Sequence, residues 1–200
     1  FGLSDSSVLT LGFRYDDYEL NVSPDMLLSN ANILNYQISN TEDSAFTFKL
    51  GYLQDLSENL TGFVQYAEGF KAPNYETSNT VFTNYLYFYT VTPNPNLDSE
   101  ESDTIEIGLR GSSENDSWEL AMYRSEVEGF IHPEVIGFSR GLGIYQYQNA
   151  ENVEIQGIEF DYERSLTEQL SFNLAAAISS GDLFEDNEKH PLPEIDPREL

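Results

Sequence analysis

The chain contains no cysteine, which excludes a disulfide framework, a thiolate metal site and a cysteine nucleophile while leaving the compartment open. Basic side chains are scarce: nine Lys and Arg stand against 35 Asp and Glu, for a formal net charge of −26. Nucleic-acid binders cluster Lys and Arg against phosphates, so nucleic acid is set aside as a partner. Such acidity fits solvated acidic loops first, and a preference for cationic ligands or a salty habitat after that. No apolar run reaches the roughly 18 residues of a spanning helix, and no basic segment with an apolar core opens the chain. G-x-S-x-G, H-E-x-x-H and the phosphate-loop pattern are all missing, so the chain reads as no enzyme, with no resident cofactor.

What is present is a period of two. Leu9, Leu11, Phe13 and Tyr15 alternate with Thr10, Gly12, Arg14 and Asp16, and Phe46, Phe48, Leu50 and Tyr52 with Thr47, Lys49 and Gly51. Further runs are Leu60–Val64–Tyr66, Ile105–Ile107–Leu109, Trp118–Leu120–Met122 and Leu170 to Ile178. Each reads as a strand with one apolar and one polar face. The run from Val153 to Tyr162 changes phase near Gln156-Gly157. That predicts a β-bulge there, or else a strand rising out of an apolar layer.

Three connections are short (QDLSEN, GSSEND, RSLTE), and the others, residues 19–43, 71–101, 127–143 and 180–195, are long. Short turns alternating with long loops are the plan of an antiparallel transmembrane β-barrel. The fold class expected is therefore all-β, with the apolar face toward lipid and Arg14, Lys49, Glu106 and Arg110 toward a wet interior. About seven strands are complete, an eighth is expected to begin near Asp196, and a spanning sheet must close, so the chain reads as part of a larger barrel. A smaller adhesin-like barrel or a soluble β-sandwich is the alternative.

One long connection stands out. Between Pro73 and Pro93 lie Tyr75, Phe82, Tyr85, Tyr87, Phe88 and Tyr89, with no Lys or Arg and only Glu76 charged. Such rings either meet a ligand or pack on each other. If the stretch is extended, Tyr85, Tyr87 and Tyr89 share one face as a stacking wall.

Motifs flank this stretch: Gly69-Phe70-Lys71-Ala72-Pro73 before it, and Asn94-Pro95-Asn96-Leu97 with Glu100 after it. Gly and Pro at a strand end, and Asn-Pro at a turn, suit loop anchors. The two motifs also resemble the G-F-R-A-P and N-P-x-L-x-x-E signatures of TonB-dependent outer-membrane receptors, most closely the haem and haemoglobin receptor branch. LTLGFRYDDY, TIEIGLRG and the strand-like YQNAENVEIQGIEFDYE (residues 147–163) support it. The resemblance implies that residues 1–200 are part of one receptor barrel domain of about 22 strands, with the plug domain and the TonB box outside this chain. It implies the outer membrane of a Gram-negative bacterium, lipid and TonB as partners, and active transport of an iron-containing ligand, haem or a haemoprotein's haem, with uptake of a ferric siderophore or another nutrient as the alternative.

The branch's customary iron-ligating histidine between the motifs is missing. His132 and His190 are the two histidines, both before proline. His132 stays a loop candidate beside the phenolates of Tyr75, Tyr85, Tyr87 and Tyr89, because tyrosine also binds ferric haem. Tyr75, close to Pro73, is the expected iron ligand of the four. The acidic clusters Asp98–Asp103 and Asp182–Glu188 read as solvated loops, with calcium as the alternative.

Overall fold

The period-two runs become the long strands of one antiparallel sheet in a computed structural model of the chain, which describes residues 2–4, 6–23, 32, 36–150, 152–185 and 188–192. In chain order these are β1 (Gly2–Ser4), β2 (Ser7–Leu20), β3 (Thr41–Ser57), β4 (Leu60–Lys71), β7 (Glu100–Ser112), β8 (Asp116–Glu128), β11 (Asn152–Thr167), β12 (Leu170–Glu185) and β13 (Glu188–Pro191). They lie in the order β1-β2-β3-β4-β7-β8-β11-β12-β13, and the sheet is open, with β1 and β13 at its edges. The eighth strand expected near Asp196 lies outside the described residues.

Register sorts the side chains. Leu9, Tyr52, Val64, Ile107, Met122, Ile158 and Ile178 are direct cross-strand partners in one row across seven strands. The next row, Thr10, Gly51, Gln65, Glu106, Tyr123, Gly157 and Ser179, points the other way. A one-residue slip in any strand would exchange the two sets, so the hydrophobic pattern holds the register. The first face leaves Phe13, Phe46, Ile105, Ile107, Met122 and Ile178 at least half exposed. Such a face matches the lipid-facing belt of a transmembrane barrel.

The three tight turns share one end. Ser57 faces Leu60, Ser112 faces Ser117 and Thr167 faces Leu170, while Leu60 pairs with Gly111 and Asp116 with Arg164 across the intervening ladders. Neighbouring turns are stitched together by Ser112 N–H to Asn59 O at 3.0 Å and Ser165 N–H to Asn115 O at 2.9 Å. All long connections therefore leave from the opposite end.

Three expectations need correction. β11 pairs with β8 and β12 without a register shift at Gln156-Gly157, so there is no bulge. Val153 and Ile155 sit on the wet face because, near the loop end, that face is covered: Ala150, Val153, Leu183 and Leu192 form a small core with Val127, Phe130 and Ile155. Full burial of a side chain such as Val153 contributes roughly 1.5–3 kcal/mol, enough to favour this rise out of the lipid belt. Residues 147–163 are not one strand either, since Tyr147 and Asn149 end a different element and β11 starts at Asn152. And the connection placed at 180–195 is shorter, because β12 runs on to Glu185 and β13 returns beside it.

A glycine marks the tightest spot on the wet face. A Cβ on Gly108 would stand 2.3 Å from the end of the Phe63 ring and 2.6 Å from the Leu120 carbonyl oxygen. The Phe63 ring cannot yield freely, since the Arg110 guanidinium lies over it, 4.5 Å from its centroid. Gly108→Ala is expected to destabilise the sheet by about 1–2 kcal/mol through overpacking, read as a lower urea midpoint for the full-length protein in detergent, whereas Gly137→Ala, with open space around it, leaves the midpoint in place.

Candidate functional site

The two longest described connections are folded, and they fold together. After β4 come helix α1 (Tyr75–Asn79), β5 (Phe82–Asn84) and β6 (Tyr89–Thr92); after β8 come β9 (Ile131–Ser139) and β10 (Leu142–Asn149). They make a second sheet in the order β5-β6-β10-β9, with β6 and β10 parallel. The β9–β10 turn is a two-residue one, Arg140-Gly141, with φ of 52° and 81°, the left-handed pair that suits the twist of a hairpin.

The motif residues act as ties in this assembly. Pro73 is fully buried. Asn74 then caps α1, its side chain accepting from Thr77 N–H at 3.0 Å, which satisfies one orphan donor of the first turn. Asn94 donates to the Tyr147 carbonyl at 2.8 Å and accepts from Asn96 N–H at 3.0 Å, so it joins the two connections and shapes the turn at Pro95-Asn96 at once. Lys71 and Glu100 form a two-pronged ion pair at 2.9 and 3.0 Å, and Glu100 also accepts from Ile131 N–H at 3.1 Å. One carboxylate thus holds the end of β4, the start of β7 and the start of β9. Asn79, wholly buried, accepts from Ser39 N–H at 2.9 Å and donates to Ser39 O at 3.1 Å, bringing in a third connection. Phe70 and Leu97 are half-buried flanks, and Ala72 likewise.

Alternation then gives the loop sheet two unlike faces. Phe82 is level with Val91, Val91 with Tyr145, and Tyr145 with Val135; Tyr147 is level with Pro133. On the other face lie Thr83, Thr90, Gln146, Gln148 and His132. On the apolar side a cleft of about 360 Å³ opens, walled by Phe82, Tyr89, Val91, Pro133, Tyr145 and Tyr147, with Gln146 and, from the α1 region, Glu76 and Thr80 at its border. Phe82 and Tyr89 rings are 6.1 Å apart, and Tyr89 meets Tyr145 edge-on at 5.7 Å, an arrangement that leaves ring faces open to a guest. A larger hollow of about 680 Å³ sits at the turn end, around Arg110, Trp118 and Glu163.

The sequence candidates separate accordingly. Tyr89 lines the cleft. Tyr85 and Tyr87 lie in the turn at the hairpin tip, 73% and 72% exposed, and Phe88 has φ of 56°. The stretch is therefore not extended, and Tyr85, Tyr87 and Tyr89 do not form one wall. Tyr75 opens α1 and is exposed, outside the cleft lining. His132 stacks on Phe130 at 6.5 Å on the polar side of the loop sheet. Glu76, Tyr145 and Tyr147 were not among the sequence candidates, although the alternation Ile144-Tyr145-Gln146-Tyr147 was there to be read. Asp98, Glu100, Glu101 and Asp103 do not converge: Glu100 turns inward to Lys71 while Asp103, on the other face, takes the Tyr66 hydroxyl. Among the described residues no three His, Asp or Glu side chains are gathered as for a metal ion.

Known proteins share this architecture. The chain is 28% identical over 188 residues to the vitamin B12 transporter BtuB of Photobacterium profundum, covering 90% of this chain and 27% of that protein. It is 23% identical over 182 residues to hemoglobin-haptoglobin utilization protein B of Neisseria meningitidis serogroup C, covering 80% of this chain and 22% of the relative. The chain thus spans about a quarter of the length of these curated relatives. Among solved structures, the siderophore receptor PirA of Pseudomonas aeruginosa superposes with a TM-score of 0.59 at 23% identity, over 90% of this chain and 31% of that one. The family model described as TonB dependent receptor-like, beta-barrel matches residues 1–198, and with the lipid-facing belt, the shared turn end and the folded loops already in view, the chain belongs to that family.

Proposed function

We propose that this chain is the ligand-receiving part of an outer-membrane receptor of a Gram-negative bacterium, which imports an iron-containing or comparable metal chelate with energy delivered through TonB. The observation that carries the reading is the ring-walled cleft, assembled from two connections that the family's own signature residues tie together. A cleft that needs both connections to exist is suited to signal occupancy downward, because Glu100 and Lys71 join it to the tops of β4 and β7. The names of the relatives, a haemoglobin-haptoglobin utilization protein and a vitamin B12 transporter, support a bulky planar chelate as cargo. A family of receptors and transporters also fits the lack of any nucleophile, base or phosphate motif.

Uptake by the full-length receptor in cells tests this, with haemin, cyanocobalamin and a ferric siderophore as probes. At least one probe is expected to be bound at the surface with or without TonB, and to be internalised only when TonB is present. Internalisation that persists in cells lacking TonB, or no binding of any of the three, overturns the proposal.

A further inference from the structure

Resting on that uptake reading, we infer that the mouth selects by charge: the cleft takes a chelate that presents a cationic face, and turns away anionic ones. The walls come first. Phe82, Tyr89, Tyr145 and Tyr147 offer ring faces, and Glu76 is the one charged side chain at the border. The face of an aromatic ring is negative and attracts a cation within about 6 Å. Glu76 is exposed and has no ion-pair or hydrogen-bond partner among the described residues, so its charge is free to add to that attraction. Rings that enclose a guest beside a carboxylate are the chemistry of organic-cation recognition.

The surroundings repeat the sign. Among the described residues of the two connections that build the cleft, 72–99 and 129–150, Glu76, Asp98 and Glu134 stand against a single basic residue, Arg140. Arg140 sits in the turn of the β9–β10 hairpin, five residues from Tyr145 and three from Gly143, the partner of Tyr89, or about 10–16 Å at the rise of a strand. Lys71, below the loops, is already held by Glu100. Of the neutral groups, Gln146 gives its amide to the Pro93 carbonyl at 2.7 Å, and Thr80 and the tyrosines offer uncharged hydroxyls. A carboxylate or catecholate on the guest would therefore be desolvated without a charged donor, which costs more than it returns. Approach follows the same rule, since a concave site of one sign concentrates ligands of the other.

Two porphyrins with one macrocycle and opposite charge separate the possibilities: tetrakis(N-methylpyridinium-4-yl)porphyrin and tetrakis(4-sulfonatophenyl)porphyrin. Binding to the full-length receptor in detergent is followed by the shift of the Soret band at low ionic strength. The cationic porphyrin is expected to bind at least about tenfold tighter. Glu76→Lys should erase most of that preference, and Tyr145→Ala should weaken the cationic porphyrin by a similar factor. Because the protein is acidic everywhere, only binding lost in those two variants counts as cleft binding. Cationic binding that ignores both substitutions is surface attraction and overturns the inference, as does an anionic porphyrin that binds equally well. Should haemin, with its two propionates, be imported through TonB with an affinity that Glu76→Lys leaves unchanged, the uptake reading stands and the charge selection falls. If neither porphyrin shifts its band and no chelate is imported, both readings fall together.

Discussion

Replacing Glu100 with alanine in the full-length protein is expected to free the long loops while the sheet below stays folded. Glu100 is 8% exposed and does three things through one carboxylate: it takes both prongs from Lys71 and the Ile131 amide. Alanine leaves that amide without its charged acceptor at the first residue of β9, and it strips Lys71 of its partner. Losing a charge-assisted hydrogen bond costs about 1.5–3 kcal/mol, and the ion pair adds less because the Lys71 side chain is 59% exposed to solvent. A total of about 2–3 kcal/mol corresponds to roughly 30- to 150-fold more frequent opening. Amide exchange of β9 and β10 should accelerate by that factor, and protease should cut within residues 129–151. Lys71→Ala should loosen the same segment by about tenfold at most, and Glu100→Gln, which can still accept from Ile131, should fall between them. Unchanged exchange in β9 and β10 in the alanine variant would remove Glu100 from its role as the tie.

The order of these effects shows why the strands were legible in the sequence and the site was not. A spanning strand has its environment written into its own residues: Ile105, Ile107 and Leu109 face lipid, while Thr104, Glu106 and Gly108 do not, whatever the neighbours are. Period two is then enough to recover β2, β3, β4, β7, β8, β11 and β12, and the length of the connections recovers the end on which the turns lie. The loop sheet depends instead on contacts between segments about 53 residues apart, as in Thr92 with Tyr145 and Asn94 with Tyr147. No local pattern announces a parallel pairing of that kind. The motifs gave the position of the ties and the wrong picture of what lay between them, because Asn84 holds the backbone of Leu86 and Tyr87 in a turn at 3.0 and 3.2 Å. The phase change in β11 failed for a related reason. Val153 is buried by Leu183, Ala150 and Leu192, partners that a single strand read alone does not reveal.

Which rings serve a ligand is the remaining consequence, and it is expected to split the aromatic residues into two groups. Tyr89 and Tyr145 hold the cleft open with an edge-on contact at 5.7 Å, while Tyr85 and Tyr87 stand in solvent at the tip. A ring that is partly buried, oriented by a neighbour and aimed into a cavity resembles an interface anchor, where truncation costs about 2 kcal/mol; an exposed tip ring gains little until something covers it. Tyr145→Ala and Tyr89→Ala should therefore each weaken the binding of a planar chelate by roughly 10- to 60-fold. Tyr85→Ala and Tyr87→Ala should change it by about threefold at most. Since Tyr89 and Tyr145 touch, the double variant should lose less than the product of the two single losses. Tyr145→Phe keeps the ring and should keep most of the affinity, which separates stacking from any service of the hydroxyl. Circular dichroism and loop exchange of each variant guard against simple unfolding of the loop sheet. A chelate whose affinity drops with Tyr87→Ala and not with Tyr145→Ala would move the ligand contact from the cleft to the tip.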